Sequence, residues 1–209
     1  YGSPIYRGNR TSSDAASVAQ VRELGGVILG KTVTTEFATR FPGKPRNPHN
    51  LKHTPGGSSQ GSAAAVADWM VPLAFGTQTT SSVIRPAAYC GVVGYKPSFG
   101  LVNRAGLKTL SDSFDHVGTL TRTVPDAALL VEELSGAPVT AFDAVSRMKP
   151  RIGFCRTPYW SKADPPTREA LEQAVPRLER AGARMTAIDL DGEFARLVEV
   201  QETISSYEM

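Results

Sequence analysis

Residues 56–67, GGSSQGSAAAVA, place a glycine- and serine-rich turn directly before an alanine-rich apolar run. The apolar run from Ala63 to Trp69 predicts a helix. Four prolines between residues 42 and 56 predict a long irregular loop ahead of the turn. Glycines give this turn backbone conformations that other residues avoid. The stretch therefore predicts a sharply turned loop whose serines stand just before a helix.

Three familiar uses of such a turn fit this sequence poorly. A flexible Gly/Ser linker is disfavoured because a helix begins at once. A phosphate cradle of the Walker type needs a Lys-Ser/Thr pair after its last glycine, whereas Ser62-Ala63 follow Gly61. Residues 57–61 match the hydrolase elbow G-x-S-x-G, but an elbow follows a strand, which residues 46–55 cannot form.

A second serine run suggests a fourth use. Residues 76–82, GTQTTSS, follow the predicted helix and a predicted strand at 72–76, and Ser82 lies 24 residues after Ser58. A strand–loop–helix junction here would surround Ser82 Oγ with successive backbone N–H groups, as in an oxyanion hole. The pattern therefore suggests one site built from Ser58 and Ser82.

The other apolar patterns predict alternating helices and strands. Besides 63–69, helices are predicted at 15–24, 82–88, 125–135, 167–181 and 194–209; strands are predicted at 27–30, 72–76, 92–95, 151–155 and 185–190. Strands that alternate with helices predict an α/β fold whose sheet is covered on both faces.

Composition excludes several classes of protein. The 209 residues carry 23 Lys and Arg against 20 Asp and Glu, and this charge of +3 is too small and too evenly spread to indicate a nucleic-acid partner. Apolar runs of about five residues are too short for a membrane span. The two cysteines, Cys90 and Cys155, cannot form a disulfide framework, so we expect a reducing, cytoplasmic location.

Taken together, these residues resemble the amidase signature family. The resemblance covers residues 10–135 most strongly, and it is carried by GGSSQGSAAAVA at 56–67, GTQTTSSVIRPAAYCGVVGYKPS at 76–98 and DHVG at 115–118. It implies an α/β/α sandwich with a mixed central sheet and a Ser–cis-Ser–Lys hydrolase that needs no metal or other cofactor. By position, Ser82 would be the acyl nucleophile and Ser58, joined to Gly57 by a cis peptide bond, the proton relay. The backbone N–H groups of Thr79, Thr80, Ser81 and Ser82 would form the oxyanion hole.

Two features set this sequence apart within the resemblance. Gln78 and Arg85 resemble the malonamidase-like branch, in which the arginine binds a substrate carboxylate, so both are candidate substrate-binding residues. A structural ion pair between Arg85 and an acidic side chain is the alternative. Thr80 and Ser81 stand where the family usually has small residues, often two glycines, and a positive φ there would strain them.

The resemblance also places the base outside the printed sequence. In the family the catalytic lysine belongs to a strand upstream of these motifs, while Lys31 and Lys96 match structural positions. We therefore expect residues 1–209 to be a partial amidase-signature domain that lacks the lysine-bearing N-terminal segment and a C-terminal part. The expected activity is hydrolysis of the C–N bond of a small amide, with a carboxylate-bearing amide as one option. The alternative is an inactive fragment or an amidotransferase-A-like subunit that acts only in a complex; homodimerisation stays open.

Overall fold

The computed structural model describes residues 1–137, 148–190 and 192–209. The chain divides into two compact units, the first within Tyr1–Val139 with Glu208–Met209 and the second within Thr140–Tyr207. The first unit contains four α-helices and three strands among its described residues: α1 (Ala16–Glu23), α2 (Gln60–Ala67), β1 (Leu73–Gln78), α3 (Ile84–Cys90), β2 (Val93–Tyr95), β3 (His116–Thr121) and α4 (Val124–Ser135).

The three strands form an antiparallel sheet in the order β1-β3-β2. The β1–β3 register runs from Leu73 opposite Thr121 to Gln78 opposite His116. Strand β3 lies between its two neighbours, so β1 is an edge strand whose C-terminal end leads into residues 79–83. This edge position leaves the outer backbone groups of β1 to be satisfied by something other than a strand.

Both faces of this sheet are covered. Leu120 and Val117 have opposite parity along β3, so their side chains lie on opposite faces. On one face Leu120 packs with residues of α2 and α3 and their approaches: Ala63, Val66, Val83, Ala87 and Cys90. On the other face Val117 packs with Val102 and with α4 residues Leu130 and Leu134. The predicted covering of the sheet by helices is thereby confirmed.

The second unit contains a separate parallel pair of strands. Strand β4 (Arg151–Cys155) pairs with β5 (Arg184–Ile188), and α5 (Pro165–Arg180) connects them. Asp164 begins α5 by accepting the N–H of Thr167 at 3.0 Å. Hydrogen bonding by Thr167, first through its side chain and second through its N–H, lowers the pKa of the Asp164 carboxyl. Helix α6 (Leu197–Glu208) follows β5. The strand–helix–strand pattern predicted from the sequence is confirmed here.

The α/β class is confirmed, with some elements differing from the predictions. Val27–Gly30 is not a strand, and Val27 and Leu29 are 81% and 71% exposed. Strand β3 was not predicted, and α2 begins at Gln60, three residues before Ala63. In the described part of the chain, no helix combines the length and apolarity that a bilayer crossing requires.

Candidate active site

Backbone contacts join the two serine segments. The Ser59 N–H donates to the Ser82 carbonyl at 3.2 Å. Arg85 Nε donates to the Gly57 carbonyl at 2.9 Å. These hydrogen bonds hold the turn at 56–59 against the loop that follows β1. The fold therefore brings together the two segments that the sequence paired.

Ser58 is held in place through its backbone. The Gly57–Ser58 peptide bond is cis, as the resemblance implies. The Ser58 carbonyl accepts the Thr35 N–H and the Thr34 hydroxyl, both at 3.1 Å. The residue is 2% exposed. A second chain segment therefore fixes the backbone on which the predicted relay hydroxyl is carried.

Ser59 satisfies the edge of β1. Its hydroxyl accepts the Thr77 N–H at 3.2 Å and donates to the Thr77 carbonyl at 3.3 Å. A Cβ atom at the neighbouring Gly76 would lie 2.8 Å from Ser59 Oγ and 2.9 Å from a methyl group of Leu120. The absence of a side chain at Gly76 therefore lets the serine turn approach the strand closely.

Gln78 contacts the loop on both sides of Ser82. Its Oε1 atom accepts the N–H groups of Val83 and Ile84 at 2.9 and 3.0 Å. Its Nε2 atom donates to the Thr80 carbonyl at 3.0 Å. The residue is 6% exposed. The carboxamide is thus hydrogen-bonded to the protein's own backbone, and the substrate contact expected from the resemblance stays a prediction.

The loop accommodates Thr80 and Ser81 without left-handed backbone. Among the described non-glycine residues, positive φ angles occur at Phe37, Ala38 and Trp69 only. Thr80 is exposed and Ser81 is half-buried. The backbone strain that a positive φ at Thr80 or Ser81 would cause is therefore absent from this loop.

Asp115 is a site residue that the sequence did not single out for a role. Its Oδ1 atom accepts the Thr79 hydroxyl at 2.5 Å. Its Oδ2 atom accepts the N–H groups of Leu110 and Ser111 at 2.6 and 3.1 Å. The residue is buried, and it stands just before β3. Asp115 therefore anchors the first residue of the predicted oxyanion loop; its place in the DHVG match was the available signal.

Arg85 is exposed and keeps part of its guanidinium open. The ion pairs of the described residues join Arg22 to Asp14, Arg156 to Glu172 and Arg196 to Glu199, and none of them involves Arg85. Within the same residues its only side-chain hydrogen bond is the one from Nε to Gly57. The alternative of a structural ion pair is therefore not found in the described chain.

The two lysines considered from sequence lie in other contacts. Lys31 Nζ lies 5.6 Å from the centroid of the Tyr1 ring, and Lys96 Nζ donates to the Pro97 carbonyl at 2.7 Å. In the residues that the structure covers, neither is hydrogen-bonded to Ser58 or Ser82. This agrees with the structural positions that the resemblance gives them.

Cys90 is a core residue. Its side chain is fully buried and its thiol lies 3.5 Å from the Pro55 carbonyl. Burial raises the pKa of the Cys90 thiol to about 11. Because only a thiolate is a strong nucleophile, this group is unreactive near neutral pH.

Comparison with known proteins identifies the family. The family described as Amidase matches residues 1–208. The A subunit of the glutamyl-tRNA(Gln) amidotransferase from Chromohalobacter salexigens is 38% identical over 196 residues, which are 85% of this chain and 40% of that protein. The corresponding A subunit from Thermotoga maritima is 38% identical over 197 residues, which are 85% of this chain and 41% of that protein.

Solved structures give the same result. The crystal structure of the Thermotoga maritima protein superposes with a TM-score of 0.88 at 35% identity, covering 99% of this chain and 50% of that one. The peptide amidase of Stenotrophomonas maltophilia gives a TM-score of 0.80 at 35% identity, covering 96% of this chain and 46% of that one. The chain thus spans 40–50% of the length of these relatives. With its sequence and its fold both matched along almost the whole length, the chain belongs to the amidase signature family.

Proposed function

We propose that this protein hydrolyses the C–N bond of a small amide through an acyl-enzyme on Ser82. The observation that carries the proposal is the joining of the two serine segments by the Ser59–Ser82 and Arg85–Gly57 hydrogen bonds. Family membership supports amide C–N chemistry in general. The assignment of Ser82, Ser58 and the loop amides to particular roles is part of the proposal.

The proposed reaction has two steps. Ser82 Oγ attacks the amide carbonyl carbon while its proton passes to Ser58, whose own proton passes to a base; the resemblance gives that role to a lysine ahead of residue 1. The N–H groups of Thr79, Thr80, Ser81 and Ser82 stabilise the developing oxyanion. The C–N bond then breaks, and the amine leaves with the proton that the base returns. Water cleaves the acyl-enzyme ester and restores Ser82.

Arg85 is the proposed ligand for a carboxylate on the substrate. A guanidinium binds a carboxylate through two parallel N–H bonds, and Arg85 has nitrogens free for this among the described residues. Its Nε contact with Gly57 ties the binding group to the peptide unit that carries Ser58. A substrate carboxylate would thereby be held near both serines. This feature supports the malonamidase-like character proposed for the site.

A second candidate function is that of an amidotransferase subunit. The relatives from Chromohalobacter salexigens and Thermotoga maritima are both named as the A subunit of a glutamyl-tRNA(Gln) amidotransferase. In this case the amide donor would still acylate Ser82, but the released ammonia would pass to a second substrate within a complex. A homodimer and a cytoplasmic location remain predictions.

Steady-state hydrolysis of a panel of small acidic and neutral amides tests the proposal in the complete protein. Ser82→Ala is expected to abolish turnover and Ser58→Ala to reduce it strongly. Ser13→Ala serves as the control, because Ser13 is exposed and lies well before both serines in the sequence. Unchanged turnover in Ser82→Ala contradicts the proposal. Hydrolysis that appears only after partner proteins are added supports the amidotransferase candidate.

A further inference from the structure

One carboxamide, that of Gln78, bonds the loop that carries Ser82 on both sides of that residue. Gln78 bonds Thr80, two residues before Ser82, and also Val83 and Ile84, the two residues directly after it. The donor distances lie between 2.9 and 3.0 Å, which is the usual range for N–H···O bonds. The proposed nucleophile therefore lies in a loop that the planar carboxamide of Gln78 binds both before and after Ser82.

We infer that Gln78 is a positioning residue that sets the oxyanion loop for acylation, and that it is not a substrate ligand. The inference rests on the proposed function, because it assumes that Ser82 is the nucleophile. Both acceptor directions of Oε1 and one of the two Nε2 protons are already used within the protein. At 6% exposure, little of the side chain remains for a substrate to touch.

The chemistry of the loop explains why a carboxamide is needed. An oxyanion hole works only if its N–H groups are aimed in advance at the position of the developing charge. Fixing the Thr80 carbonyl also fixes the plane of the peptide unit that contains the Ser81 N–H. The Thr80 carbonyl needs a hydrogen-bond donor, while the N–H groups of Val83 and Ile84 need an acceptor. Glutamine supplies both, whereas a carboxylate at this position supplies only the acceptor.

Two substitutions separate these contributions. Gln78→Glu keeps the acceptor for Val83 and Ile84 but loses the donor to Thr80 and places a negative charge beside that carbonyl. Gln78→Leu loses both contributions at nearly constant volume. Gln20→Glu is the matched control, because Gln20 Nε2 likewise donates to a backbone carbonyl, that of Glu133 at 2.6 Å, on the unrelated pair of helices α1 and α4.

The measurements are kcat, KM and thermal midpoint in the complete protein, with one acidic and one neutral amide. We expect kcat to fall about 10-fold in Gln78→Glu and about 100-fold in Gln78→Leu for both substrates, with KM changed less than about threefold, because misaimed amides weaken the transition state and not the ground state. Gln20→Glu should retain wild-type kcat. If Gln78→Leu does not fold, the Gln78→Glu result decides alone.

Several results overturn the inference. A rise in KM with unchanged kcat assigns Gln78 to substrate binding, and unchanged kcat and KM in Gln78→Glu assigns it no role in turnover. An equal kcat loss in Gln20→Glu assigns the effect to general destabilisation. Ser82→Ala is measured alongside: if it retains full turnover, the proposed function itself fails, whereas if only the Gln78 variants retain kcat, the positioning role alone fails.

Discussion

Removing the Ser59 hydroxyl tests how the serine turn is attached to the sheet. Ser59→Ala deletes the two hydrogen bonds between Ser59 Oγ and the backbone of Thr77, at 3.2 and 3.3 Å. Each neutral bond contributes about 1 kcal/mol, and the Thr77 groups lie at an edge where no described strand can replace the partner. We therefore expect the free energy of unfolding to fall by about 2 kcal/mol. The Ser59 N–H bond to Ser82 is retained, so the loop contact itself is kept.

Urea unfolding followed by circular dichroism measures this change, with Ser13→Ala as the exposed-serine control. With a slope of about 2 kcal/mol per molar urea, the midpoint should fall by about 1 M at unchanged slope. Amide hydrogen exchange supplies a local readout, since Thr77 should lose protection while Leu120 in the central strand keeps it. A midpoint within about 0.2 M of wild type (about 0.4 kcal/mol) together with full protection at Thr77 would refute the attachment through Ser59.

Three further predictions concern the anchor, the substrate contact and the buried thiol. Arg85→Leu should raise KM about 30-fold for an acidic amide relative to a neutral one, because an exposed contact of two hydrogen bonds, worth about 2 kcal/mol, is lost. An equal change in KM for both substrates would exclude carboxylate binding by Arg85. Asp115→Ala should lower the free energy of unfolding by about 3 kcal/mol, because three donors lose their acceptor. Asp115→Asn should lower it by about half as much, because one side-chain oxygen remains. The urea midpoints of the two variants and of wild type measure these losses. Native Cys90 should react with iodoacetamide far more slowly at pH 8 than the unfolded protein does in urea, since burial keeps the thiol protonated. The native rate should increase about tenfold for each unit by which the pH is raised, as long as the pH is below the pKa of about 11. Equal native and unfolded rates, measured by peptide mass spectrometry, would contradict the burial of Cys90.

Local patterns predicted the elements whose burial is decided by their own residues. Helix α4 illustrates this, because Thr123 caps it, Pro125 lies in its first turn and Gly136 ends it in the left-handed conformation. Its apolar positions, Ala127 and Leu130 among them, are buried as the helical spacing predicts. Strand β4 was likewise predicted with its observed bounds.

The prediction failed where burial depends on distant neighbours. Val27–Gly30 has the apolar composition of a buried strand, yet no described strand pairs with it. Strand β3 shows the opposite case, since His116–Thr121 contains a glycine and two threonines and was not predicted, although it is the central strand. Its neighbours supply the burial, and Gly118 lies where a Cβ atom would meet the Tyr95 carbonyl at 2.8 Å.

The site was predictable in position more than in function. Serine spacing and the family resemblance pointed to Ser58 and Ser82, and the fold joins their segments. The contacts of Gln78 and Asp115 depend on how the loop that follows β1 folds against the residues that precede β3, which no local pattern encodes. A polar residue of this kind looks the same in sequence whether it faces a substrate or its own backbone.

Trapping the acyl-enzyme decides whether Ser82 is the nucleophile. The complete protein, mixed with an activated ester of a small acid and quenched within seconds, is digested and mapped by mass spectrometry. We predict one acyl adduct on the peptide that contains Ser82, absent from Ser82→Ala and removed by hydroxylamine. An adduct on another residue, or turnover without a Ser82 adduct while Ser82→Ala stays active, would show that the chemistry takes place elsewhere.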